Sequence, residues 1–192
     1  MNKILAPILA LLFSTLVIAI IPTEAEAAIY EDTLRLHIIA ESDSEEDQKL
    51  KLKVRDGVLE NFGEKLSASG SKEEAEAVAI RLIPEIEELC TEICLKEGFS
   101  YKATAEITYE WYDTRFYEDF TLPRGLYCSM KITLGKGEGK NWWCVMYPPL
   151  CLDMATAETS EDKYSPEENA LITAGGYKIK FKLLELAADL FR

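Results

Sequence analysis

Few side chains in this chain can do chemistry. There is one histidine, His37, and there are five cysteines: Cys90, Cys94, Cys128, Cys144 and Cys151. A cysteine nucleophile needs a base, normally His, held in place by a third group. Nothing in the spacing brings His37 to Cys144, and no cysteine-protease signature surrounds Cys144. A cysteine metal site shows two short-spaced pairs. Here the spacings are Cys90-x3-Cys94, which is helical core spacing, and Cys144-x6-Cys151. No metal and no cofactor are expected. The acidic turn Asp43-Ser44-Glu45-Glu46-Asp47 lacks the glycine and ligand order of a calcium loop and reads as a helix cap. Gly135-x-Gly137-x-Gly139 precedes a strand rather than a helix, so it reads as a turn and not as a phosphate cradle. With 34 acidic residues, pairs of carboxylates select no glycosidase.

That leaves the stretch Asn141-Trp-Trp-Cys-Val-Met-Tyr-Pro-Pro-Leu-Cys151. Cys144 and Cys151 would close a short loop stiffened by Pro148-Pro149, a constraint worth roughly 2.5 kcal/mol. Cys128 is the rival partner. If Leu134 pairs with Asn141, Cys128 shares a face with Trp143 while Cys144 faces the other way with Trp142. That register favours Cys144–Cys151, and a one-residue bulge reverses the preference. Five cysteines leave at least one over.

The elements that must position these groups follow from pattern. Leu34, Leu36 and Ile38 alternate with Arg35, His37 and Ile39 in a strand within 33–40. Ser44 caps a helix in which Leu50, Val54, Val58, Phe62 and Leu66 recur every four residues. A second helix starts near Ser71 and ends at Gly98, and Pro84 should kink or break it. Strands follow over 101–112, 126–134 and 142–147, and the last two read as a hairpin about the glycine turn. Residues 153–166 read as a loop, then a short helix after Ser165, a strand over 177–182 and a helix over 183–191. The class is α+β: an antiparallel sheet with the two long helices packed on one face.

The first 27 residues, one Lys and then a long apolar run to Ile21, Pro22 and Ala25-Glu26-Ala27, have the order of a secretory signal peptide. An uncleaved anchor is the alternative, since the run is near bilayer-spanning length. Residues 28–192 then form a single exported α+β domain. The net charge of -13 argues against nucleic acid and anionic membrane as partners.

Two long blocks resemble the stage II sporulation protein R family. The first is Leu34-Arg-Leu-His-Ile-Ile-Ala-Glu-Ser-Asp-Ser-Glu-Glu-Asp-Gln-Lys-Leu-Lys-Leu-Lys-Val-Arg-Asp56. The second is Leu122-Pro-Arg-Gly-Leu-Tyr127 with Gly135 through Cys151, and Lys180 through Leu186 resembles the closing segment. Glu41 stands where Asn is usual, Gly57 where Ala is usual, Ser129-Met130 where a small residue and Leu are common, and Tyr147 where Phe is usual. The resemblance implies a non-enzymatic signal of endospore-forming bacteria. It would be exported across the forespore membrane into the intermembrane space. There it would trigger a membrane-bound aspartic protease, which cleaves the sigma-E precursor in the mother cell. Arg35, His37, Trp142 and Tyr147 are the expected contacts to the extracytoplasmic part of that protease, with no small-molecule substrate. The alternatives are an exported cell-wall or peptide hydrolase and a structural envelope protein.

Overall fold

The structure, a computed structural model, describes residues 24–117, 120–149 and 165–173, plus six scattered helical positions between 7 and 14. The elements run α1 (Glu24–Glu31), β1 (Leu34–Ile39), α2 (Glu45–Ser67), α3 (Lys72–Lys96), β2 (Ala103–Tyr112), β3 (Arg115–Phe116), β4 (Thr121–Leu122), β5 (Gly125–Leu134), β6 (Asn141–Tyr147) and α4 (Pro166–Thr173). The expected strand over 177–182, the helix over 183–191, Cys151 and nearly all of the 153–166 loop lie outside the described residues. So does most of the predicted signal segment 1–27. Among the described residues no helix is long and apolar enough to cross a membrane.

The helix starts follow from their caps. The Asp47 amide donates to Ser44 Oγ at 3.1 Å, and the Glu74 amide donates to Ser71 Oγ at 3.2 Å. The helix α3 runs unbroken through Pro84, so the expected break does not occur. Pro84 lies on the exposed side, and Ile80, whose carbonyl it leaves unbonded, is 50 % exposed, so water can take the place of the missing donor. The two helices approach closely at Gly57, where a Cβ would lie 2.6 Å from Ile93 Cδ1.

The α+β class and the helix layer are as expected, but the sheet is mixed. Its order is β2-β5-β1-β6, with β1 parallel to β5 and the other pairs antiparallel. The predicted hairpin does not form, because β1 lies between β5 and β6. The physical reason is the burial of β1. Leu34, Leu36 and Ile38 are buried under the helices, and Arg35 and His37 are buried on the other side. A strand without a wet face belongs in the middle of a sheet. The glycine turn therefore bridges over the end of β1. The Gly139 amide donates to Ala40 O at 2.9 Å, the Glu138 amide to Glu41 O at 3.1 Å, and the Lys136 amide to the Glu41 carboxylate. The Lys140 amide donates to Asp43 Oδ1 at 2.7 Å. The approach is so close that a Cβ at Gly139 would fall 2.2 Å from Ser42 O.

The sheet is covered on both faces. One core joins β1, β5 and β6 to α2 and α3 through residues such as Val54, Val58, Ile86 and Met130. A smaller core of Ile29, Tyr112, Leu122, Tyr127, Val145 and Ile172 lies on the far face, under α1, the β3–β4 hairpin and α4. Pattern reading missed α1 and the two-residue strands β3 and β4, which are too short to show a period. It anticipated α4, where the Glu168 amide donates to Ser165 Oγ at 3.3 Å and the Ser165 amide donates to Glu168 Oε2 at 2.6 Å.

Candidate functional site: a cation and aromatic stack on the sheet

On the face away from the long helices, alternate residues of the four strands stand side by side. The pairings place Glu106 beside Lys131, Lys131 beside His37, and His37 beside Trp143. One step along, Thr108, Ser129 and Arg35 form the next row. Ser129 is small and fully buried, and Tyr112 reaches across to it, its hydroxyl 2.7 Å from Ser129 Oγ.

His37 Nδ1 lies 2.9 Å from Glu110 Oε2. A carboxylate only accepts, so Nδ1 is the donating nitrogen and Nε2 points away from the pair. Lys131 Nζ donates to the other Glu110 oxygen at 2.9 Å. Burial alone would raise the Glu110 carboxyl. The hydrogen bonds from Lys131 and His37, with their charges, outweigh it and hold the carboxyl below its ordinary value. The Tyr112 phenol is pushed up to about 12, chiefly by burial.

The side chains form a continuous stack. The Arg115 guanidinium sits 3.7 Å above the Trp143 ring centre. Trp143 stacks on His37 at 5.6 Å with 22° between the planes. His37 meets Tyr112 edge-on at 6.1 Å. The Arg35 guanidinium lies 4.2 Å from the Tyr112 centroid and 4.9 Å from that of Tyr127, and its Nη2 donates to Tyr117 Oη at 3.1 Å. Tyr127 then meets Tyr30 edge-on at 5.2 Å. Gly125 is the position that admits Tyr30, since a Cβ there would lie 2.6 Å from its ring. At one end the stack opens into a cleft of about 390 Å³ whose walls include His37, Glu110, Asp113, Arg115, Asn141 and Trp143. Among the described residues, His37 Nε2, Arg115 Nε, and Arg35 Nε and Nη1 are buried with no hydrogen-bond partner.

Of the four expected contact residues, the structure brings Arg35 and His37 together. Arg35 is wholly buried, so it can only position its neighbours. Trp142 and Tyr147 belong to the helix-side core. Trp142 is half-buried there with the Arg55 guanidinium 5.2 Å from its ring, and Tyr147 is 4 % exposed. The expected assignment of faces is corrected. Leu134 pairs with Ala103 and Asn141 with Ile39, so Cys128, Cys144 and Trp142 share the helix side and Trp143 faces away from them. Cys144 is thereby separated from His37 by the sheet itself. Its suggested partner Cys151 lies outside the described residues. Glu110, Lys131, Tyr112 and Arg115 were missed, and Trp143, which packs against the smaller core, was not among the expected contacts. The available signal was charge of opposite sign at period two: Glu106 and Glu110 on one strand, Lys131 on its neighbour. Among the described residues no group of three His, Cys, Asp or Glu could hold a metal.

These features define an α+β domain with a polar, aromatic-walled cleft on the sheet face opposite its helices. Residues 30–157 match the family described as stage II sporulation protein R (spore_II_R). Over 186 residues the chain is 35% identical to a stage II sporulation protein R of Bacillus subtilis (strain 168), covering 85% of this chain and 83% of that protein. No solved structure matches the chain. The chain belongs to the stage II sporulation protein R family, and its role lies in sporulation.

Proposed function

We propose that this chain is an exported signal of endospore formation. It crosses the forespore membrane, binds the extracytoplasmic part of a membrane-bound aspartic protease, and so starts processing of the sigma-E precursor in the mother cell. The observation that carries this reading is family membership across the folded domain, from the end of α1 through β6. The signal-like segment 1–27 supports export. Cleavage after Ala27 would keep Ile29 and Tyr30, the α1 residues that pack on the far face of the sheet.

The chemistry of the site supports recognition rather than turnover. Glu110 orients the imidazole as it would in a hydrolase. Yet Cys128 and Cys144 look into the helix-side core, and the Ser129 hydroxyl is engaged by Tyr112. Among the described residues, the oriented His37–Glu110 pair is the one feature that favours the rival reading of an exported hydrolase. The two separate in one comparison. Purified protein is assayed on cell-wall and peptide substrates, and sporulating cells carrying the same protein are assayed for precursor cleavage. Signalling predicts cleavage in cells and no turnover in the tube. Turnover that disappears in His37→Asn would overturn it.

A further inference from the structure

We propose that the open half of the β2 edge takes one extended segment of the protein partner as an added strand, a segment in which apolar residues alternate with Lys or Arg. The inference deepens the signalling reading and rests on it for the identity of the partner. β2 is an outer strand of the sheet, paired with β5 on one side only. Its odd-numbered residues turn their N–H and C=O groups outward. The Ala103 amide donates to Thr91 Oγ1 at 3.1 Å and the Ala105 amide to Glu87 Oε1 at 2.8 Å, both on α3. Helix side chains thus close the first half of the edge. At Ile107, Tyr109 and Trp111 the outward amides meet no partner among the described residues. An unpaired edge is a template for another strand, and proteins commonly blunt it with charge, proline or a cover. Here it is aromatic instead. Tyr109 and Trp111 are 57 % and 67 % exposed, and Leu126, the cross-strand neighbour of Trp111, is exposed too. The Tyr109 hydroxyl is held between Lys72 Nζ at 3.3 Å and Glu76 Oε2 at 3.4 Å, which fixes its ring. Tyr109, Trp111 and Leu126 share one sheet face, so a strand laid beside Ile107–Trp111 sets every second side chain against them. The side chains between would lie beside Glu106, Thr108 and Glu110. The charges bordering this edge are Glu76, Glu87, Glu106 and Glu110 against Lys72 and Lys131, four carboxylates to two ammonium groups. Asp113 and Arg115 cancel at one end, and the groove beyond the closed half adds Glu88 and Glu92 against Lys102. Lys131 lies 2.9 Å from Glu110 but 3.9 Å from the exposed Glu106, so Glu106 is the carboxylate left for a cation. The open stretch also borders the cleft, whose walls include Glu110 and Trp111.

The backbone itself reports an added strand. Amide hydrogen exchange of the full chain is followed by NMR, alone and with three seven-residue peptides. One alternates lysine and valine, one alternates glutamate and valine, and one has the composition of the first with its valines in a single block. The expected result is slowed exchange at Ile107, Tyr109 and Trp111 with the alternating lysine peptide, while the Thr108 and Glu110 amides, already turned to β5, change little. The glutamate and block peptides should bind at least about tenfold more weakly. Glu106→Gln should narrow the preference for lysine over glutamate by about threefold. Trp111→Lys should remove the protection while the thermal midpoint stays near wild type, since Trp111 is mostly exposed. Exchange unchanged by the lysine peptide, equal binding of the block peptide, or protection that survives Trp111→Lys overturns the added strand. Equal binding of the glutamate peptide, or a preference unchanged in Glu106→Gln, overturns the basic occupant. Slow exchange at the three amides in the chain alone overturns the partner as occupant. If that exchange quickens on dilution, the edge belongs to a second copy; if not, it belongs to this chain's own residues 177–182, where Tyr177, Ile179 and Phe181 alternate with lysines. These outcomes are read in the tube, so they stand apart from any failure of signalling in cells.

Discussion

Replacing Arg35 by Met should leave the fold nearly as stable as it is now, although Arg35 is wholly buried. Two terms favour the native guanidinium. Its contacts with the Tyr112 and Tyr127 rings, at 4.2 and 4.9 Å, are worth about 2 kcal/mol each when desolvated. The hydrogen bond to Tyr117 adds about 1.5–3 kcal/mol as one made by a charged donor. Against them stands the effective cost of burying an ion, several kcal/mol. Two guanidinium nitrogens find no partner, and no described carboxylate pairs with Arg35. The terms cancel to within about 2 kcal/mol, and Met fills much of the same volume with no ion to desolvate. Arg35→Ala differs, because it also removes the stem between two rings and should cost about 3–5 kcal/mol. Urea unfolding of wild type, Arg35→Met and Arg35→Ala at pH 7 measures both differences. If Arg35→Met loses more than about 4 kcal/mol, or as much as Arg35→Ala, the guanidinium is held by an anion and the stack does not position it.

Three further outcomes follow from the same geometry. The native Glu110 carboxyl lies below its ordinary value, so its contribution to stability is present above about pH 4.5 and is lost as pH falls through the native value. Glu110→Gln should be less stable than wild type at pH 7 and should lose less stability on acidification, as read from urea midpoints between about pH 3 and 7. Gly139→Ala forces a methyl against the Ser42 carbonyl and should destabilise by about 2 kcal/mol or more, measured by thermal melting; a neutral result would mean that the glycine turn does not close over β1. The Cys90 and Cys94 thiols are pushed up to about 12 and about 11, chiefly by burial, and Cys128 to about 11. All three should resist iodoacetamide at about pH 8 in the native protein and react once urea unfolds it, as peptide mass spectrometry would show.

The helices were legible because their information is local. Ser44 and Ser71 cap them, and the four-residue recurrence of apolar side chains names the buried stripe of α2. The sheet order was not legible, because a glycine turn between two strands is a local hairpin signal while the insertion of β1 is a long-range event. The pattern of β1 gave no warning either, because Arg35 and His37 read as a wet face and only the structure shows both faces buried. Once β1 is central, the alternation in β6 sends Trp142 to the helices and Trp143 to His37. Arg35 and His37 were found by residue type and shared face. Glu110 and Arg115 were not, since His37 meets Glu110 across β5 and Arg115 arrives on a strand of two residues.

The central claim is that this chain signals through the cleft bounded by His37, Arg115 and Trp143. The most direct test replaces the cell's own copy with the full chain or with Arg115→Gln or Trp143→Ala, each checked for folding and secretion. The fraction of sigma-E precursor cleaved is then followed by immunoblot during sporulation. The account predicts cleavage with the wild-type chain and its loss, by about tenfold or more in rate, with either cleft variant. Wild-type cleavage by folded, secreted Arg115→Gln and Trp143→Ala would contradict it.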